Sequence, residues 1–86
     1  NVVYMEIHPN PVSDLANVEF NLAGKAIVKV SILNTLGQTV KEIFLGEILP
    51  GVQQVSLNTA DLANGIYIVK FEANKEVLNQ KFIVAK

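Results

Sequence analysis

The chain has 86 residues, half of them apolar, a net charge of −1 and no cysteine, which bounds it to one small domain held without disulfides. All seven basic residues are lysines, so the basic surface and the bidentate guanidinium contacts that usually read nucleic acid are missing. No apolar run approaches the ~20 residues of a membrane helix, and none resembles a signal-peptide core. The start at Asn1 rather than at an initiator methionine reads as a piece of something longer.

The hydrophobic period is two, not 3.6. In chain order, Val18, Phe20 and Leu22 alternate with Asn17, Glu19 and Asn21. Val28, Val30 and Ile32 alternate with Lys29, Ser31 and Leu33. Val55 and Leu57 alternate with Gln54, Ser56 and Asn58, and Tyr67, Val69 and Phe71 with Ile66, Ile68, Lys70 and Glu72. Each run sets an apolar row on one sheet face and leaves the other mostly polar, as in antiparallel sheets with one wet side.

Turn chemistry separates the runs. His8-Pro9-Asn10-Pro11 ends the first strand, because proline fixes φ and removes a backbone donor. Asn34-Thr35-Leu36-Gly37 predicts a type I turn with Gly37 in a left-handed bulge. Pro50-Gly51 opens a fifth strand, Asn64-Gly65 precedes a sixth, and Ala73-Asn74-Lys75 closes a last hairpin. The segment Thr59–Ala63 has room for one helical turn, with Asn58 or Thr59 as its cap. The result is seven strands, near residues 2–8, 17–22, 26–34, 38–45, 52–58, 65–72 and 76–84. They predict an all-β, seven-stranded antiparallel immunoglobulin-like sandwich without the Cys…Trp…Cys pattern of true immunoglobulin domains.

Chemistry is sparse. His8 is the single histidine and stands at a proline turn, with Ser13 as the nearest nucleophile and no Gly-rich elbow beside it. Zinc lacks ligands, and no cofactor is expected. Asn10, Asp14 and Asp61 are loop oxygens without the tight acidic repeat of a calcium loop, and they read as turn and cap residues. Tyr4 and Phe44 are the aromatics left for a sugar platform, since Phe20, Tyr67 and Phe71 fall on apolar rows. Two readings stay open on these residues: a carbohydrate-binding module, and a spacer or adhesion module of a surface protein.

Three segments read together are more specific: Ile7-His8-Pro9-Asn10-Pro11-Val12-Ser13-Asp14, Asp61-Leu62-Ala63-Asn64-Gly65-Ile66-Tyr67-Ile68-Val69-Lys70, and Gln80-Lys81-Phe82-Ile83-Val84-Ala85-Lys86. Their order and spacing resemble the type A C-terminal sorting domain of the type IX (Por) secretion system of Bacteroidetes, over the whole chain. The hairpin Leu33–Gln38 is similar to the family's asparagine–glycine turn, and His8 departs from the aromatic residue often found before the first proline. The resemblance implies a secretion and sorting signal, not an enzyme, placed after a cargo domain. It implies export through the periplasm to the outer membrane, cell surface or medium. Recognition would be by the outer-membrane translocon or its shuttle, followed by removal by a sortase-like cysteine protease of the machinery.

The residues expected to carry recognition are Gly65, Tyr67, Lys70, Lys81, Phe82, Ile83, Val84 and Lys86, with Pro9, Asn10 and Pro11 as a structural motif. Gly65 allows a positive φ, and Tyr67 points inward with its hydroxyl tied to a nearby loop. Residues 70–86 hold four lysines against two glutamates and carry +2, while residues 1–69, with three lysines against six acids, carry −3. A basic, alternating last strand offers an edge and a tail to a receptor. The same lysines also guard an edge strand against aggregation. That edge admits a homodimer as well.

Overall fold

The computed structural model describes residues 1–9 and 11–86. Seven strands run β1 Val2–His8, β2 Leu15–Leu22, β3 Ala26–Leu33, β4 Thr39–Ile48, β5 Gly51–Asn58, β6 Gly65–Ala73 and β7 Glu76–Val84. They form a three-stranded sheet, β1-β2-β5, and a four-stranded sheet, β4-β3-β6-β7, with every ladder antiparallel. The alternating rows read from the sequence supply the core. Val18, Phe20 and Leu22 on β2 face Val28, Val30 and Ile32 on β3 and Val69 and Phe71 on β6, all of them buried. Phe20 and Phe71 meet between the sheets with ring centroids 4.8 Å apart, which fixes the layers against each other.

The turns form as their residues dictate. Gly37 sits at φ +82°, its N–H donating to the Asn34 carbonyl at 3.0 Å. The Asn34 side-chain oxygen accepts from the N–H groups of Leu36 and Gln38, both at 3.0 Å, so one amide satisfies the turn's spare donors. Asn74 adopts φ +55° in the last hairpin, and its side-chain oxygen accepts from the Ile27 N–H at 2.9 Å.

Two strands run past their expected ends. β2 begins at Leu15 rather than near residue 17, because Leu15 pairs with Asn58 ahead of the alternating run. β4 continues to Ile48 rather than stopping near 45. Gly46, at φ +76°, takes up a register shift between the Val28–Gly46 and Lys29–Phe44 pairs, so the ladder bends there instead of ending. The Thr59–Ala63 segment is a hydrogen-bonded turn and not a helix. Leu62 N–H donates to the Thr59 carbonyl at 3.0 Å, and the Asn58 side chain caps Ala60 at 2.9 Å.

The expectation of a mostly polar outer face holds for one sheet and is corrected for the other. Outside the three-stranded sheet, β2 and β5 present Asn17, Glu19, Asn21, Gln54, Ser56 and Asn58, while apolar Leu15 and Val52, and Val3 on β1, are exposed singly. Outside the four-stranded sheet, Leu33, Ile66, Ile68 and Ile83 group at one end, and Ile27, Phe44 and Val77 stand toward the other. The reason lies in β6, whose run from Ile66 to Val69 is apolar at every position. Burying Tyr67 and Val69 necessarily turns Ile66 and Ile68 outward.

Candidate functional site: a corner built from three distant segments

The three segments singled out in the sequence meet at one end of the sandwich, where β1 ends, β2 begins, β5 ends, β6 begins and β7 ends. Asn10 lies outside the described residues, and with it the centre of the Pro9–Pro11 turn and one of the candidate calcium oxygens. Past that turn, Val12 is fully buried and forms a parallel bridge with Val84. Its N–H donates to the Ile83 carbonyl at 2.8 Å, and its carbonyl accepts from Ala85 N–H at 2.8 Å. The first segment thereby covers the outer edge of the last strand where that strand ends, which satisfies backbone groups an edge would leave open.

The middle segment closes the corner from the other side. Thr59 is buried; its hydroxyl donates to the Ser13 carbonyl at 2.9 Å and its N–H to the Asp14 carbonyl at 2.9 Å. Tyr67 points inward, as its place on the apolar row requires, and its hydroxyl donates to the Ala63 carbonyl at 2.7 Å. Its ring stacks 5.9 Å from that of Phe82, its cross-strand partner. The Lys86 ammonium donates to the carbonyls of Ala60 at 2.5 Å and Leu62 at 2.6 Å, and its backbone N–H donates to the Asn64 side chain at 3.1 Å. The final lysine therefore caps the 59–64 turn rather than trailing into solvent. Charge-assisted bonds to carbonyls of this kind are the stronger sort.

The structure thus sorts the expected recognition residues by side. Tyr67, Phe82 and Val84 lie on the inner face and are buried. Lys81 and Ile83 point outward from β7, and Lys70 stands half-buried on the outer face of β6. Gly65 opens β6 at φ +155°, a conformation side chains disfavour, although a Cβ there would meet nothing within 4 Å. Pro9 and Pro11 are exposed, the His8–Pro9 peptide is cis, and Val12 follows directly on Pro11. The Val12 bridge was not readable in the sequence, because a single pairing residue leaves no periodic pattern.

Other candidate chemistry is dispersed. The His8 Nε2 contacts Glu6 at 3.0 Å, while Ser13 joins the corner through its backbone carbonyl. Asp61 pairs with Lys41 at 3.3 Å, and among the described residues no three acidic or histidine side chains gather as a metal cluster. Tyr4 and Phe44 stand on the outer faces of opposite sheets, opposite Asn21 and Lys29, so they share no platform. The Tyr4 hydroxyl donates to Glu19 at 2.7 Å, and this bond, which favours the protonated phenol, raises its pKa above the ordinary value.

These features define a small immunoglobulin-like β-sandwich whose distinctive construction is a sewn C-terminal corner. A family model described as "Secretion system C-terminal sorting domain" matches residues 6–85. The chain belongs to that family, the C-terminal sorting domains of the Por, or type IX, secretion system, and it is a non-catalytic secretion and sorting signal. Membership carries recognition by that secretion machinery and export to the cell surface or medium. Among solved structures it is similar to CopC from Methylosinus trichosporium OB3b, at 21% identity and a TM-score of 0.52, over 94% of this chain and 91% of that one. That likeness shows the sandwich fold. A comparison with curated proteins finds no match.

Proposed function

We propose that the outer-membrane translocon of the type IX system, or its shuttle, binds the region from Gly65 to Lys86. A sortase-like cysteine protease of the machinery then removes the domain from a cargo joined on its N-terminal side. The observation that carries this reading is the corner itself. The family's three segments, far apart in sequence, are tied together by the Val12–Val84 bridge and by Lys86 on the 59–64 turn. Within it the roles divide. Tyr67, Phe82 and Val84 hold β7 in place from inside, Gly65 sets the entry of β6, and Pro9 and Pro11 position Val12. Lys70, Lys81 and Ile83 face outward for contact, and Lys86 links the tail to the corner.

Asn1 lies at the far end of the sandwich, its backbone carbonyl accepting from Ala23 N–H at 2.7 Å. A cargo attached there leaves the corner clear. The test is a reporter fused ahead of residues 1–86 in a type IX-competent cell. It is expected at the surface or in the medium, and deletion of β7 is expected to leave it in the periplasm. A reporter that stays inside while a known sorting domain exports its own cargo refutes the proposal.

A dimer through an edge strand is a second proposal. Between Glu76 and Lys81, β7 is paired on one side only, to β6, among the described residues. Sedimentation of the isolated chain decides it: a concentration-dependent dimer supports edge pairing, and a monomer at all concentrations removes it.

A further inference from the structure

The outer face of the four-stranded sheet is not uniform. Its middle is charged: Lys29 lies 3.7 Å from Glu42 and 3.6 Å from Glu72, and Lys70 lies 3.9 Å from Glu72. Phe44 and Val77 flank this stripe on the edge strands, opposite Lys29 and Glu72, and Ile27 lies beyond it; a second apolar group stands at the other end. That second group is built on the ladder. Leu33 pairs with Ile68, Ile68 with Lys81, and Ile66 with Ile83, so these side chains stand side by side on one surface. Ile66 is 47% exposed and Ile83 is 44% exposed, while Leu33 and Ile68 are half-buried. The patch adjoins the corner, because β6 begins and β7 ends there.

The chain shows on its other sheet that it can clothe an outer face in asparagine, glutamine and serine. Contiguous branched apolar side chains on an outer face mark a surface meant to be covered. Lys81 stands within the patch, directly across from Ile68, and among the described residues it has no carboxylate at ion-pairing distance, unlike Lys25, Lys29, Lys41 and Lys70.

Resting on the sorting reading, we propose that Leu33, Ile66, Ile68, Ile83 and Lys81 form the face that docks on the export machinery. The partner is a protein surface with an apolar centre and a carboxylate placed to meet Lys81. Charge decides among the occupants. A two-fold pairing of this face with a second copy brings like-charged lysines together, which is unfavourable. A lipid surface is better served by interfacial tryptophan and tyrosine, and the patch has neither. A protein surface carrying an acid in an apolar setting matches both the isoleucines and the lone lysine.

The experiment compares reporter fusions to residues 1–86 carrying the native domain, Lys81→Glu, or Ile68→Thr with Ile83→Thr. These side chains point away from the core, so both variants are expected to melt with the native domain. Export of the native fusion with a fall on the order of tenfold for each variant supports the docking face, the loss of about 1.4 kcal/mol of binding corresponding to that factor. Equal export of all three overturns the face while leaving the sorting reading intact. Failure of the native fusion itself overturns the sorting reading and this proposal with it. A flotation assay with phosphatidylglycerol vesicles adds one arm: binding by the native domain that Lys81→Glu abolishes assigns the face to lipid and overturns the protein partner.

Discussion

The two outer faces of this sandwich rest on the same antiparallel scaffold and are dressed differently. The three-stranded sheet shows solvent a polar lattice in which Ser56 donates to Asn17 at 2.7 Å and Tyr4 to Glu19 at 2.7 Å. The four-stranded sheet shows an ion-paired stripe flanked by branched apolar side chains. Each sheet buries an apolar inner row, and that row does not set what the outer face carries. Much of the difference lies on β6 and β7, the strands that two of the family's segments build, with Leu33 on β3 beside them. One face is mostly polar, and the other carries the apolar group proposed above to dock.

The largest effect is expected from the inside of the apolar sheet. Phe82 is 1% exposed and stacks on Tyr67. Phe82→Ala should cost about 3–5 kcal/mol in denaturant unfolding, and it should abolish both the corner and export. A variant that stays folded yet exports normally would show that β7 need not be docked. Next comes Lys86→Met, which removes two charge-assisted bonds to the 59–64 turn. A loss of about 1–3 kcal/mol is expected, with faster amide exchange at Leu62. No change in either measurement would leave the tail unattached.

On the polar face, Val52→Thr alters a lone exposed apolar side chain. It should change stability by less than about 0.5 kcal/mol and leave export untouched. The smallest effect concerns Tyr4. In a Tyr67→Phe background it is the sole tyrosine, and ultraviolet titration should place its phenol above the ordinary value of 10.0. Glu19→Gln should bring it back down. Because the folded pKa is raised, the contact's contribution is full below the ordinary tyrosine range. It fades as pH climbs through the higher folded value. A midpoint at the ordinary value in the Tyr67→Phe protein would show that the Glu19 bond is not made in solution.

Much of the scaffold was legible in the residues. Alternation in β2 and β3, Asn34 to Gly37, and the inward Tyr67 with its tied hydroxyl all obey local rules of period and turn chemistry. The partition into three and four strands was not legible, since strand pairing is a long-range choice. The Val12 bridge escaped for the same reason. The outer row of β6 was misjudged differently: Lys70 and Glu72 mark it as the wet side, yet Ile66 and Ile68 at its start make that end apolar. The strand expected to stop near residue 45 continues to Ile48, because Gly46 in the left-handed region lets it bend and go on. The family was legible through the order of three segments, and their meeting in space came only with the fold.

The most direct test sets the two faces against each other in one export assay. One fusion carries Ile66→Thr, Ile68→Thr and Ile83→Thr on the four-stranded sheet. The other carries Leu15→Thr and Val52→Thr on the three-stranded sheet. Surface and periplasmic reporter are measured for each alongside the native fusion. If the apolar face is the one that docks, the second fusion is exported like the native domain while the first accumulates in the periplasm with its fold intact. Equal export from both, or selective loss from the three-stranded sheet, would contradict that assignment.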